Sequence, residues 1–73
     1  MMMMTTVLAT GNHAIRLLVE HPPDGEDATI RTQQRTPEGY EDIDSEVVPA
    51  HSVRSVLAEW YDIPPQELGR LIH

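Results

Sequence analysis

The spacing of the apolar residues changes at Pro49, and that change constrains the fold more than any other feature of the chain. Ahead of it the pattern repeats every second residue: Ile15, Leu17 and Val19 share one face of a strand, while Arg16, Leu18 and Glu20 share the other. Beyond it, Val53, Val56, Leu57 and Trp60 fall at i, i+3, i+4 and i+7, the stripe of an amphipathic helix. Pro49 suits the first helical position, where its fixed φ is already correct and its missing N–H costs nothing. Strands gathered on one side of a proline and helices on the other define an α+β chain. The predicted architecture is a three- or four-stranded antiparallel β-meander followed by one long and one short C-terminal helix.

Within that frame, residues 5–10 and 13–20 read as strands joined by a hairpin at Gly11-Asn12, a pair suited to the positive φ angles of a tight turn. His21-Pro22-Pro23-Asp24-Gly25 ends the second strand. Residues 27–35, with Thr29, Ile30 and Thr32, form a third. Their apolar content is thin, which predicts an edge position guarded by Arg31 and Arg35. Thr36-Pro37-Glu38-Gly39 makes a further turn. Residues 40–48 fit a short fourth strand and an ordered acidic loop almost equally well. Ile63-Pro64-Pro65 must interrupt the helical stripe, because a residue before proline is driven out of the helical region. A shorter helix over 65–72 then buries Leu68, Leu71 and Ile72. Trp60 is expected to anchor the core between helix and sheet, with Tyr61 half exposed at the helix end. Exposed, Tyr40 or Tyr61 would instead be interface anchors.

Seventy-three residues make one small domain, here residues 5–73 behind a disordered Met run at 1–4. A chain of this size buries only about 60% of the surface it exposes when unfolded. It has no cysteine for disulfides, so good packing, self-association or a partner must supply stability. A homo-oligomer is one expectation. The absent cysteine also fits a cytoplasmic site. The start lacks a basic segment, and the apolar runs fall far short of the ~20 residues that cross a bilayer. Neither a signal peptide nor a membrane span is expected.

The net charge of −7 is unevenly placed. Nine of the twelve acids lie between residues 20 and 46 (Glu20, Asp24, Glu26, Asp27, Glu38, Glu41, Asp42, Asp44 and Glu46), against Arg31 and Arg35 alone. That stretch carries the whole excess, since Arg16, Arg54 and Arg70 balance Glu59, Asp62 and Glu67 elsewhere. No lysine occurs. Such a field repels phosphate backbones and attracts basic surfaces. A solvated face that simply keeps a small protein in solution is the plainer reading.

The tail, LAEWYDIPPQELGRLIH, resembles a helix-turn-helix over residues 53–72, with Ala58, Ile63, Leu68 and Leu71 at the small and apolar positions of that family. The resemblance implies DNA reading by Gln66, Arg70 and His73. Two departures weigh against it. Asp62 stands where the family usually has glycine, and the second helix offers Arg70 as its one arginine, whereas phosphate contacts from Lys and Arg supply most non-specific affinity for DNA.

Other chemistry finds little support. His13, His21, His51 and His73 do not share an i, i+4 helical spacing, so no metal is expected. Asp42-Ile43-Asp44-Ser45-Glu46 echoes a calcium loop but lacks its glycine and its final bidentate glutamate. Ser52 and Ser55 sit near His51 in sequence, yet close neighbours along a helix do not face one another. No enzyme activity and no cofactor is expected.

The functional expectation is therefore a small acidic binding protein that docks on a basic surface of a partner protein. Glu38, Tyr40, Glu41, Asp42, Asp44 and Glu46 would carry the contact, supported by Asp24, Glu26 and Asp27. In size, acidity and want of catalytic residues the chain is similar to small phage-encoded inhibitors of host defence or transcription, whose carboxylates stand in for phosphates. Charge reversal at Asp42 and Asp44 should then abolish binding and spare the fold. The alternatives are the helix-turn-helix regulator above and a subunit or truncated domain of a larger assembly.

Overall fold

The computed structural model describes residues 4–22 and 26–71. Four strands, β1 (Met4–Ala9), β2 (Ile15–His21), β3 (Asp27–Thr36) and β4 (Gly39–Pro49), form one antiparallel sheet in the order β1-β2-β3-β4. A 3-10 turn (Ala50–Ser52), helix α1 (Val53–Trp60) and helix α2 (Pro65–Leu68) follow. The α+β meander read from the sequence is the fold, and residues 40–48 resolve as a strand. The starting methionines 1–3, the Pro23-Asp24-Gly25 turn, Ile72 and His73 lie outside the described residues.

Residues paired directly across an antiparallel sheet share a face. Leu8, Leu17, Thr32 and Asp44 form one row, and Thr6, Val19, Ile30 and Glu46 the next. Both rows begin buried at β1 and end exposed at β4. The core of Leu8, Leu17, Val19, Ala28 and Ile30 is closed from above by Val53, Leu57, Ile63 and Leu71. That cover reaches β4 only at Val48, its one buried residue. The rest of β4 stands clear as a long open edge.

Five expectations need correction. β3 is an interior strand, paired to β2 and β4 on its two sides, and the edges are β1 and β4. Ala28 and Ile30 supply enough apolar surface for its covered face. On its other face, Arg31 guards no edge and instead reaches both neighbours, pairing with Glu20 on β2 and with Asp42 on β4 at 3.3 Å.

Gly11-Asn12 is not a two-residue turn. β1 ends at Ala9 and β2 begins at Ile15, which leaves a five-residue loop over 10–14, and positive φ occurs among the described residues only at Gly39 and Asp62. Side chains hold this loop: Asn12 Oδ1 accepts from the Ala14 N–H at 2.9 Å, and Thr10 Oγ1 accepts from the Asn12 N–H at 3.1 Å. The turn at Thr36 to Gly39 is as expected, with Gly39 at a φ of 136° that favours glycine.

Pro49 closes β4 instead of opening the helix, its ψ of 138° being extended. Helix α2 also stops at Leu68, after which the chain runs in tighter i+3 turns, Arg70 N–H to Glu67 C=O at 3.0 Å and Leu71 N–H to Leu68 C=O at 3.1 Å. Leu71 is buried all the same.

Trp60 is not in the core: it is 76% exposed, the most exposed of the large apolar side chains among the described residues. The cause lies two residues on. Asp62 adopts a left-handed φ of 53° and folds the chain back, so that the Ile63 N–H donates to the Leu57 carbonyl at 3.1 Å. Ile63 and Tyr61 thereby occupy the space over the sheet that the helical stripe assigns to Trp60. Asp62 thus takes a conformation that favours glycine. A left-handed non-glycine residue costs roughly 1–2 kcal/mol, less for aspartate. Asp62→Gly is therefore expected to be neutral or to stabilise by up to about 1 kcal/mol, and Asp62→Val to destabilise by about 1–2 kcal/mol in urea unfolding.

Candidate partner-binding surface

Strand β4 carries the acids, and a register shift between Thr32 and Gln33, where the partner changes from Asp44 to Asp42, puts those two acids on opposite faces although they are two residues apart. Asp42 lies in the row with Gln33 and Arg16, on the face the helices leave uncovered. Glu41, Asp44 and Glu46 point to the helix side, beyond the reach of α1's cover. Glu38 sits at the hairpin tip and Asp27 at the far end, opposite Pro49. From Gly39 to Pro49 the strand spans about 33 Å. The acids that the sequence groups together therefore line an edge and do not form one cluster. Asp24 is outside the described residues.

Asp42 differs from its neighbours in being engaged internally. Its Oδ2 accepts from Arg31 Nη1 at 3.3 Å and its Oδ1 from Gln33 Nε2 at 2.7 Å. Arg31 also pairs with Glu20, which by hydrogen bond and then by charge holds the guanidinium still more firmly protonated. The series continues through Gln33 Oε1, which accepts from Arg16 Nε at 2.8 Å, to Arg16 stacked 3.6 Å over the Tyr40 ring. One polar network thus ties β2, β3 and β4 across the uncovered face. Tyr40, offered by the sequence as a contact residue, is here a platform for an arginine, though 42% exposed.

Glu41, Asp44 and Glu46 are exposed, and none of the ion pairs among the described residues involves them. Asp44 and Glu46 act on Tyr61. Burial first, and then the charges of Glu46 and Asp44, raise its phenol above the ordinary 10.0, against a hydrogen bond with Thr32 that lowers it. A raised value means the native state holds the proton more tightly, so the stabilisation is complete below pH 10 and fades as pH rises through the native value. Phenolate absorbance of the folded protein should give a Tyr61 midpoint above 10. In Asp44→Asn/Glu46→Gln the midpoint should fall part of the way back, because burial is the larger cause.

The residues of the DNA-reading alternative are placed differently. Gln66 is exposed, His73 is outside the described residues, and Arg70 lies 3.6 Å from Glu67. Glu67 reaches back to the sheet, where its Oε1 accepts from the Ala9 N–H at 2.9 Å. A four-residue α2 offers one turn to a groove.

The network through Arg31, the edge position of β4 and the exposure of Trp60 were all missed from the sequence. A usable signal existed for the first: Glu20, Arg31 and Asp42 have alternating charge and fall on one face once the meander is registered. No helix among the described residues is long and apolar enough to cross a membrane. Comparison with protein-family models, with curated proteins and with solved structures found no match.

Proposed function

We propose that this is a small non-enzymatic binding protein that docks the edge of β4 on a basic surface of a partner protein. The observation that supports it is the open strand itself, on which Glu41, Asp44 and Glu46 stand exposed without an ion pair among the described residues. Asp44 and Glu46 lie on one face at a spacing of about 7 Å, so two cations of a partner can be met side by side. Where that basic surface normally holds nucleic acid, the carboxylates take the place of phosphates and block it by occupancy. Trp60, far more exposed than a large apolar residue usually is, follows Glu59 on the solvent side of α1 and adds an apolar anchor of the kind that dominates interface energies. We assign the activity to the cytoplasm, as befits a chain without cysteine.

The deciding experiment compares binding to an oligolysine peptide with binding to random duplex DNA over a salt series. Saturable binding of the peptide, weakening as salt rises, with duplex ignored, is the expected result. Capture of duplex in preference to the peptide would overturn the reading.

A further inference from the structure

Beside the β1–β2 loop the structure holds a cleft of about 260 Å3 that the acidic edge does not use. Val7 and Tyr40 give it an apolar wall, while His13, Arg16 and Arg70 give it a polar one. No aspartate or glutamate among the described residues lines it. In a chain with five basic residues against twelve acids, two arginines and an imidazole thus meet at one concavity.

Arg16 is unusual in how it is held. Its Nε donates to the Gln33 amide oxygen at 2.8 Å, and its guanidinium lies 3.6 Å over the Tyr40 ring. Gln33 is in turn fixed by Asp42 at 2.7 Å. Both partners of the guanidinium are neutral, so its orientation is set while its charge stays unspent, and among the described residues its terminal N–H groups make no hydrogen bond. A guanidinium with a fixed plane and free forked donors is a receptor for an oxyanion. Arg70 is 63% exposed, and its one ion-pair partner among the described residues, Glu67, is 3.6 Å away with its other oxygen engaged at Ala9. The Arg70 guanidinium can therefore offer its terminal N–H groups to a ligand while its Nε stays beside Glu67, whose side chain is only 17% exposed.

We propose that this cleft binds a small organic phosphate, a phosphate monoester whose organic part is about the size of one ring. The phosphoryl oxygens take Arg16, Arg70 and His13, and the organic part lies against Val7 and Tyr40. Two guanidiniums and an imidazole supply more donors than one carboxylate accepts, and the volume exceeds that of a bare phosphate ion. A nucleic-acid strand is disfavoured, since it would have to continue past Glu38 and Glu41 in the field of a molecule of net charge −7. The site shares Tyr40 with strand β4 but uses none of the exposed acids Glu41, Asp44 and Glu46.

The test is an amide-resolved NMR titration of the intact chain with phenyl phosphate, inorganic phosphate, benzoate and a short single-stranded DNA. Phenyl phosphate should give saturable shifts at Asn12, His13 and Arg16, including the Arg16 Nε–H, and bind more tightly than inorganic phosphate or benzoate. Arg16→Gln should weaken it by about tenfold or more. Because Arg16→Gln also removes the Tyr40 stack, Arg70→Gln, at an exposed site, serves as the second variant and should weaken binding at least threefold, on the order of one weak charged contact. The assignment fails if phenyl phosphate gives no saturable shift, if benzoate binds as well, if the DNA binds more tightly, or if Arg70→Gln leaves the affinity unchanged.

Discussion

Leu57→Ala is expected to bring the protein close to unfolding. Leu57 is fully buried where α1 meets the sheet, and truncating such a leucine costs about 3–4 kcal/mol in lost transfer energy and residual cavity. A chain of this length has roughly 4–11 kcal/mol in all. Thermal unfolding followed by circular dichroism should show the midpoint falling by about 15 °C or more. Trp60→Ala is the informative companion. By volume it is the more drastic change, yet with the side chain 76% exposed it should cost under about 0.5 kcal/mol. The ranking inverts what the helical stripe implies, because Ile63 has taken the place over the sheet. Equal losses in the two variants would mean that Trp60 is packed after all.

The second large effect concerns binding. Asp44→Lys/Glu46→Lys exchanges two negative charges for two positive ones on the docking edge. Neither side chain belongs to an ion pair among the described residues, so the fold should be unaffected. Affinity for oligolysine should fall by about 100-fold at low salt, mostly through slower association, and the difference from the parent should shrink as salt screens the field. The variant originally suggested by the sequence, with reversal at Asp42, is the wrong instrument. Asp42 anchors both Arg31 and Gln33, and placing a lysine there sets two cations together and frees the amide that orients Arg16. Loss of binding in that variant would confound docking with sheet integrity. An undiminished affinity in Asp44→Lys/Glu46→Lys would sink the proposed function.

The features that the chain disclosed were those written in local spacing. The turn at Thr36 to Gly39 has proline and glycine at the places the backbone demands, and the change of period at Pro49 separates sheet from helix within one residue. What stayed hidden were relations between segments. β3 read as an edge because its outward side chains are polar, and only the register reveals that Arg31 spends its charge on both neighbours. Trp60 read as core because periodicity is blind to the left-handed Asp62 that brings Ile63 back over Leu57. The acidic run was visible as composition, but its division into an engaged Asp42 and exposed Asp44 and Glu46 depends on which face each occupies. The cleft was invisible for the same reason: Arg16, Tyr40 and Arg70 are far apart along the chain.

The strict sequential order of the strands bears on how the molecule is made. Each strand pairs with its neighbour along the chain, so the sheet can form from short-range contacts ahead of its helical cover. Until the segment from Ala50 to Leu71 has docked, Leu8, Leu17, Val19 and Ile30 face water on a half-finished molecule. The last strand at its rim bears carboxylates, and two such molecules would repel one another edge to edge. The same residues that equip the finished protein to meet a cationic partner would, in this earlier period, act as its guard against aggregation.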